Sequence, residues 1–250
     1  MTRVLHLTDP HLFAAKDGSL RGTVTFASLS AVLAHYRDGD WRADIAVVTG
    51  DLIQDDDPAA YEHFRVLLGS LGLPVYCIPG NHDVRALMRD ALREPPFFYC
   101  NTAEPGDWLI VGIDSCVSDQ AGGSVSSEEL ARLDAAIAAS TAAHVMVCLH
   151  HPPVAMGSKW LDSVGLDNGD EVLQRFADSG KVQLAVFGHV HQAYDAEHGG
   201  IRIIGTPSTC TQFATGSDEF AIDDKPPAYR RIELHADGRH DSELIWVARA

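Results

Sequence analysis

Five apolar runs in this chain each end in a burst of Asp, Asn or His, and that recurrence limits the possible folds more than any other feature. The bursts are Asp9-Pro10-His11, Gly50-Asp51, Gly80-Asn81-His82-Asp83, His150-His151 and Gly188-His189-Val190-His191. Each follows a strand-like segment, at 3–8, 44–49, 75–78, 145–149 and 183–187. In an open α/β sheet, ligand sites lie beyond the carboxyl ends of the strands. Strands that all finish in polar clusters therefore belong side by side, with their ends at one crevice.

Between the strands run amphipathic helices, at 25–37, 58–71, 126–139 and 169–177, with a further strand at 108–113. Pro58 occupies a first helical turn, where its missing N–H costs little, and Ser126-x-x-Glu129 reads as a capping box. The last third changes character: 193–197, 201–204, 229–235 and 243–248 are short strands separated by Gly-rich turns, with no helix among them. The pattern predicts an α/β fold of two packed mixed β-sheets flanked by helices, four layers in the order αββα. There is no internal repeat. The stretch 209–227 reads as a long loop of the kind that often serves function.

The donor set narrows the chemistry. Crowded carboxylates and imidazoles repel and desolvate one another unless a cation sits among them. Carboxylates, one amide oxygen and imidazoles, with no thiolate, suit borderline divalent ions such as manganese, iron, zinc or cobalt. The spacing Asp-x-His and His-x-His lets two side chains project on one side of an extended segment. Glycines before Asp51, Asn81 and His189 permit sharp exits and close backbone approach. Each fragment alone is weak, since Asp-Pro-His is commonly a turn and Gly-Asp a helix start. Their joint order is not.

Composition bears on partners. The net charge is −16 over 250 residues, which disfavours nucleic-acid polymers and anionic membranes. A phosphate-bearing substrate would need its positive charge from bound metal. No apolar run approaches a transmembrane span, and no signal peptide is visible after Met1. Five scattered cysteines with no C-x-x-C pair fit reduced thiols and predict a cytoplasmic protein.

The order D-x-H, G-D, G-N-H-D, H-x-P, G-H-x-H, from Asp9 to His191, resembles the calcineurin-like metallophosphoesterase superfamily. The resemblance implies two divalent metal ions, iron or manganese first and zinc or cobalt as alternatives. One would take Asp9, His11, Asp51 and His191, the other Asp51, Asn81, His150 and His189, with Asp51 bridging. His151 is then supporting or structural. It further implies that residues 1–250 form a single domain, with a metal-site core at 1–206 and a C-terminal loop and strands at 207–250 completing the second sheet.

A narrower resemblance covers almost the whole chain. Asp9-Pro10-His11-Leu12-Phe13, His150-His151-Pro152-Pro153, Trp160-Leu161-Asp162, Gly188-His189-Val190-His191-Gln192 and Pro207-Ser208-Thr209-Cys210-Thr211-Gln212-Phe213 look like the bacterial class III cyclic nucleotide phosphodiesterases. That implies hydrolysis of 3′,5′-cyclic AMP to the 5′-monophosphate by a metal-activated hydroxide, in a monomer or homodimer. The alternatives are a broader phosphodiesterase acting on 2′,3′-cyclic nucleotides or glycerophosphodiesters, and a non-catalytic scaffold of the same fold. Asp51 and His82 are the expected catalytic residues, and Asn81, His82 and His191 the expected substrate contacts. His82 lies outside the ligand set, which suits it to contact the phosphate and protonate the leaving alkoxide. Asp83 is expected to orient His82 or a metal-binding histidine. The other histidines, His6, His35, His63, His144, His198, His235 and His240, read as surface or packing residues. Asp55-Asp56-Asp57 reads as a solvated helix start rather than a calcium loop.

Overall fold

The computed structural model describes residues 1–249. Two six-stranded sheets form its centre. The first runs in the order His240–Trp246, Ala228–Leu234, Thr2–Leu7, Ile45–Thr49, Val75–Ile78, Phe97–Tyr99. Its last four strands are parallel, and the two C-terminal strands join antiparallel. The second runs Tyr194–His198, Ile201–Gly205, Val182–Phe187, His144–Cys148, Trp108–Gly112, Thr102–Ala103, parallel in its middle four strands.

Side-chain alternation assembles the layers. Along Thr2–Leu7, Val4 faces the slot between the sheets, where it meets Val47, Met146, Val186, Ile204 and Ile232. Leu5 and Leu7 face the other way and pack under the helices Thr25–Asp38 and Pro58–Gly69 through Leu29, Leu33, Phe64 and Leu68. The second sheet is covered likewise by Ser127–Ala139 and Gly169–Ser179 through Leu130, Leu133, Val172 and Phe176. Each fully buried Leu or Phe contributes roughly 1.5–3 kcal/mol. The αββα order expected from the alternation of elements is the order found.

Two expectations need correction. The strands Ala228–Leu234 and His240–Trp246 do not complete the second sheet; they extend the first, with Ala228–Leu234 lying along Thr2–Leu7. The four parallel strands leave one side of Thr2–Leu7 unpaired, and an open edge is a liability that a returning strand removes. In the second sheet the corresponding edge is taken by Tyr194–His198. The capping box at Ser126 is half formed: Ser126 Oγ accepts from Glu129 N at 3.2 Å, but the Glu129 carboxylate accepts from Asp114 N and binds Arg132. Asp57, by contrast, caps its helix through Ala59 N, while Asp55 accepts from Ala14 N.

Candidate metal centre

All seven side chains expected to bind metal converge at the carboxyl ends of Thr2–Leu7, Ile45–Thr49, Val75–Ile78, His144–Cys148 and Val182–Phe187. On one side, His11 Nε2 is 3.1 Å from His191 Nε2 and 3.6 Å from Asp51 Oδ2, and His191 Nε2 is 3.4 Å from Asp9 Oδ1. On the other, His150 Nε2 is 3.4 Å from the same Asp51 Oδ2, 3.2 Å from Asn81 Oδ1 and 3.2 Å from His189 Nδ1. One carboxylate oxygen thus faces both groups, the arrangement a bridging ligand requires. Separations of this size are those of neighbouring donors around one ion, each bound at about 2.0–2.2 Å.

The backbone is bent to bring them there. Asp9, His11, Asp51, His189 and His191 all have positive φ, between 45° and 66°. Non-glycine residues rarely adopt this conformation, and such strain collects at functional sites. The loops lock onto one another: Asp9 N donates to Gly50 O at 3.1 Å, and His11 N to Asp51 O at 2.9 Å. Close approach also requires glycine. A Cβ on Gly188 would stand 2.0 Å from Thr8 Oγ1, and one on Gly50 would stand 2.5 Å from His150 Nδ1.

Electrostatics show what the site demands. Burial opposes charge on Asp51, yet His150 and His11 hold its carboxyl well below the ordinary range. Asp9 is likewise lowered against burial, by His191. Burial alone would depress His150, but Asp51 outweighs it and lifts it to about 9. His11 is held down to about 3, chiefly by burial. A proton on His150 is a poor substitute for a cation among these donors. The metal-facing nitrogens are His11 Nε2 and His189 Nδ1; the opposite ring nitrogens, His11 Nδ1 and His189 Nε2, are buried with no hydrogen-bond partner among the described residues. The donor set fits divalent metal.

The neighbouring residues divide. His151 has both ring nitrogens engaged, by Ser115 Oγ at 2.8 Å and Ala121 O at 3.1 Å, which makes it a buried support. Asp83 orients neither His82 nor a metal-facing histidine. Its carboxylate accepts from Gly80 N, Leu52 N and Tyr61 Oη, tying together the two loops that carry Asp51 and Asn81. His82 is exposed and stands edge-on to His11, with ring centroids 5.1 Å apart. Its Nδ1 lies 3.1 Å from the Gln54 side-chain amide, a partner that the sequence pattern does not announce.

The cavity over these groups has a volume of about 260 Å³. One wall is aromatic: Trp160, Phe213 and Phe220 meet edge-on at 5.2–5.4 Å, and Phe213 stacks on His191 at 4.2 Å. Phe213 and Phe220 come from the 209–227 segment, which folds as a small ribbon, Gln212–Phe213 with Ile222–Asp223, over the site. Arg21, stacked over Phe220 at 4.8 Å, is the only Lys or Arg among the lining residues. Only the Trp160 and Phe213 motifs hinted at this wall. A roomier cleft of about 390 Å³ beside Pro152–Ala155 contains none of the seven side chains.

The sequence profile of the calcineurin-like phosphoesterase family matches residues 2–193, the span that carries every one of these strand-end motifs. This chain belongs to that family. The calcineurin-like assignment is reinforced by full-length relatives. The chain is 37% identical over 247 residues to the 3′,5′-cyclic adenosine monophosphate phosphodiesterase CpdA of Escherichia coli (strain K12), covering 98% of this chain and 90% of that protein. It is 34% identical to the Pseudomonas aeruginosa protein of the same name, covering 98% and 89%. In architecture it matches a dimetal phosphatase from Danio rerio at TM-score 0.64 and 14% identity, over 100% of this chain and 99% of that one. The calcineurin-like fold and its clustered His and Asp side chains support two metal ions.

Proposed function

We propose that this chain, acting as one domain, is a dinuclear-metal phosphodiesterase that hydrolyses 3′,5′-cyclic AMP to the 5′-monophosphate. The observation that carries this reading is the position of Asp51 Oδ2, 3.6 Å from His11 Nε2 and 3.4 Å from His150 Nε2, between two complete donor sets. Asp9, His11, Asp51 and His191 would hold one ion, and Asp51, Asn81, His150 and His189 the other. When bound, two such ions offset phosphate charge and make water a competent nucleophile near neutral pH. Iron and manganese are the leading candidates, with zinc or cobalt as alternatives.

The chain's own residues then account for orientation and proton transfer. Asn81, His82 and His191 line the floor where a phosphate would lie. Trp160, Phe213 and Phe220 offer an apolar wall against which a purine can stack, a contact worth about 1–3 kcal/mol per base. Opening the ring at the 3′ side leaves an alkoxide that needs a proton, and His82 Nε2 is the available donor. The amide of Gln54 supports this role in one orientation. Its Oε1 has no partner among the described residues, and turning the amide puts that oxygen on a protonated Nδ1, the state in which imidazole acts as an acid.

The cavity also argues against a polymer substrate, since its lining offers a single guanidinium rather than a basic groove. Five free cysteines fit a reducing cytoplasm, and no helix among the described residues is long and apolar enough to cross a membrane. The test is kcat/KM for 3′,5′-cAMP, 2′,3′-cAMP and a glycerophosphodiester on metal-reconstituted protein. cAMP first supports the reading; cAMP last overturns the substrate and leaves the metal centre standing. No hydrolysis of bis(p-nitrophenyl) phosphate with both metals bound would favour the scaffold.

A further inference from the structure

Four strand paths beneath the metal centre turn from apolar to polar together at their last inward position. Val4, Val47, Ile204 and Ile232 pack in the slot between the sheets. Two residues nearer the centre on each strand path stand His6, Thr49, Thr206 and Arg230, the first three fully buried and Arg230 only 4% exposed. With Thr8 they make an unbroken string of contacts. Arg230 Nε donates to Thr206 Oγ1 at 3.3 Å, and Thr206 Oγ1 is 2.8 Å from His6 Nδ1. His6 Nε2 is 2.9 Å from Thr49 Oγ1, and Thr49 Oγ1 is 2.9 Å from Thr8 Oγ1. Thr8 Oγ1 donates to Asp9 Oδ2 at 2.6 Å.

We propose that Arg230, Thr206, His6, Thr49 and Thr8 are positioning residues forming a one-way hydrogen-bond relay that sets the Asp9 carboxylate for metal binding. The proposal rests on Asp9 being a metal ligand. Both ends of the string are fixed by chemistry. A guanidinium N–H can only donate, and an ionised carboxylate can only accept. Each hydroxyl between them has one proton to give. If His6 carries its proton on Nε2, all five links are satisfied, each running toward Asp9. If the proton sits on Nδ1, Thr49 must donate to His6 and Thr8 to Asp9, so the Thr49–Thr8 contact has no proton. The arrangement therefore selects the Nε2–H tautomer.

The string also explains an otherwise costly burial. Arg230 has no carboxylate within 4.0 Å among the described residues; its remaining bonds go to Ser242 Oγ at 3.0 Å and Gly205 O at 2.9 Å. An interior guanidinium without an ion pair is expensive. Aligned dipoles between it and the Asp9 charge recover part of that cost, because such chains polarise one another. At the far end, His189 N donates equally to both Asp9 oxygens at 3.1 Å, whereas Thr8 holds Oδ2 alone and Oδ1 faces His191 Nε2 at 3.4 Å and His11 Nε2 at 4.0 Å. The relay thus decides which oxygen meets the cation.

The direct test is the His6 tautomer, read by long-range ¹H–¹⁵N NMR on zinc-loaded wild-type protein carrying ¹⁵N-histidine, with His6→Gln to assign the signal. A single Nε2–H species is expected; an Nδ1–H species or a mixture overturns the relay. The second readout is Mn²⁺ affinity by competition with a chelator. Thr206→Val, which cuts the string, should weaken one of two sites by roughly 10–100-fold. Thr206→Ser, which keeps the hydroxyl, should bind within about threefold of wild type. Equal affinity in the valine variant, or equal weakening in both, overturns the proposal. Wild-type protein that takes up no Mn²⁺ would overturn the metal reading itself, a failure distinct from a wrong tautomer in a protein that holds two ions.

Discussion

Gly80→Ala should disable the centre without replacing any donor residue. A Cβ at this position would lie 2.1 Å from Asp51 Oδ1, 2.3 Å from Asp51 N and 2.7 Å from Asp51 Cγ. Ordinary contact begins near 3.4 Å, so against the Asp51 backbone alone the two loops must open by about 1.1 Å (3.4 − 2.3). Two of the three contacts are with backbone or the carboxyl root, so a side-chain rotation cannot absorb the clash. Asp51 Oδ2 faces both donor groups at 3.4–3.6 Å, and a shift of that size withdraws it from both. A misplacement of about 1 Å can cost on the order of 10²-fold in rate, and overpacking costs about 1–3 kcal/mol of stability. The assay pairs kcat/KM for 3′,5′-cAMP with metal content and a thermal melt. Gly69→Ala is the control, because its Cβ stands 3.7 Å from Phe97 Cζ within a helix. Gly80→Ala with two metals bound and kcat/KM within threefold of wild type would refute the reasoning.

Three further outcomes are expected. His82→Ala should keep both metals while kcat falls roughly 10²-fold or more; turnover that merely tracks metal loss would contradict an acid role. Phe220→Ala removes one face of the aromatic wall and should raise KM for 3′,5′-cAMP by about tenfold, equivalent to the ~1–3 kcal/mol of a stacked base, with kcat little changed; an unchanged KM would place the base elsewhere. The metal-free protein should lose stability as pH falls from 6.5 to 5. Burial holds His6, His11 and His151 near 3 in the folded state, against 6.5 when unfolded. The unfolded chain therefore binds more protons across this window, and each histidine removes about 1–2 kcal/mol. Urea melts of metal-stripped protein with the same midpoint at both pH values would contradict this.

The element pattern was legible because strand and helix periods are local properties. Helix 58–71 and strand 75–78 were read within two residues of Pro58–Gly69 and Val75–Ile78. Short pieces were missed. The helices Arg85–Ala91 and Lys159–Asp162 span few turns and owe their form to packing rather than periodicity. His6, expected on the surface or in satisfied packing, is the latter, wholly buried and bonded through both ring nitrogens. Nothing in its neighbours along the chain says so, because its partners Thr49 and Thr206 lie 43 and 200 positions away.

What the sequence determined by itself was the chemistry of the centre: which donor atoms exist, that none is a thiolate, and that all sit where strands end. A donor's identity is covalent, and its place at a strand end follows from a few neighbouring residues. Only the tertiary structure decided how those donors meet. It bent Asp9, His11, Asp51, His189 and His191 to positive φ, set one oxygen of Asp51 between two groups, and brought Phe213 and Phe220 over them. It also sent the C-terminal strands to the first sheet, where Arg230 pairs with His6. These are consequences of sheet edges and packing between residues far apart in the chain, and local pattern carries no record of them.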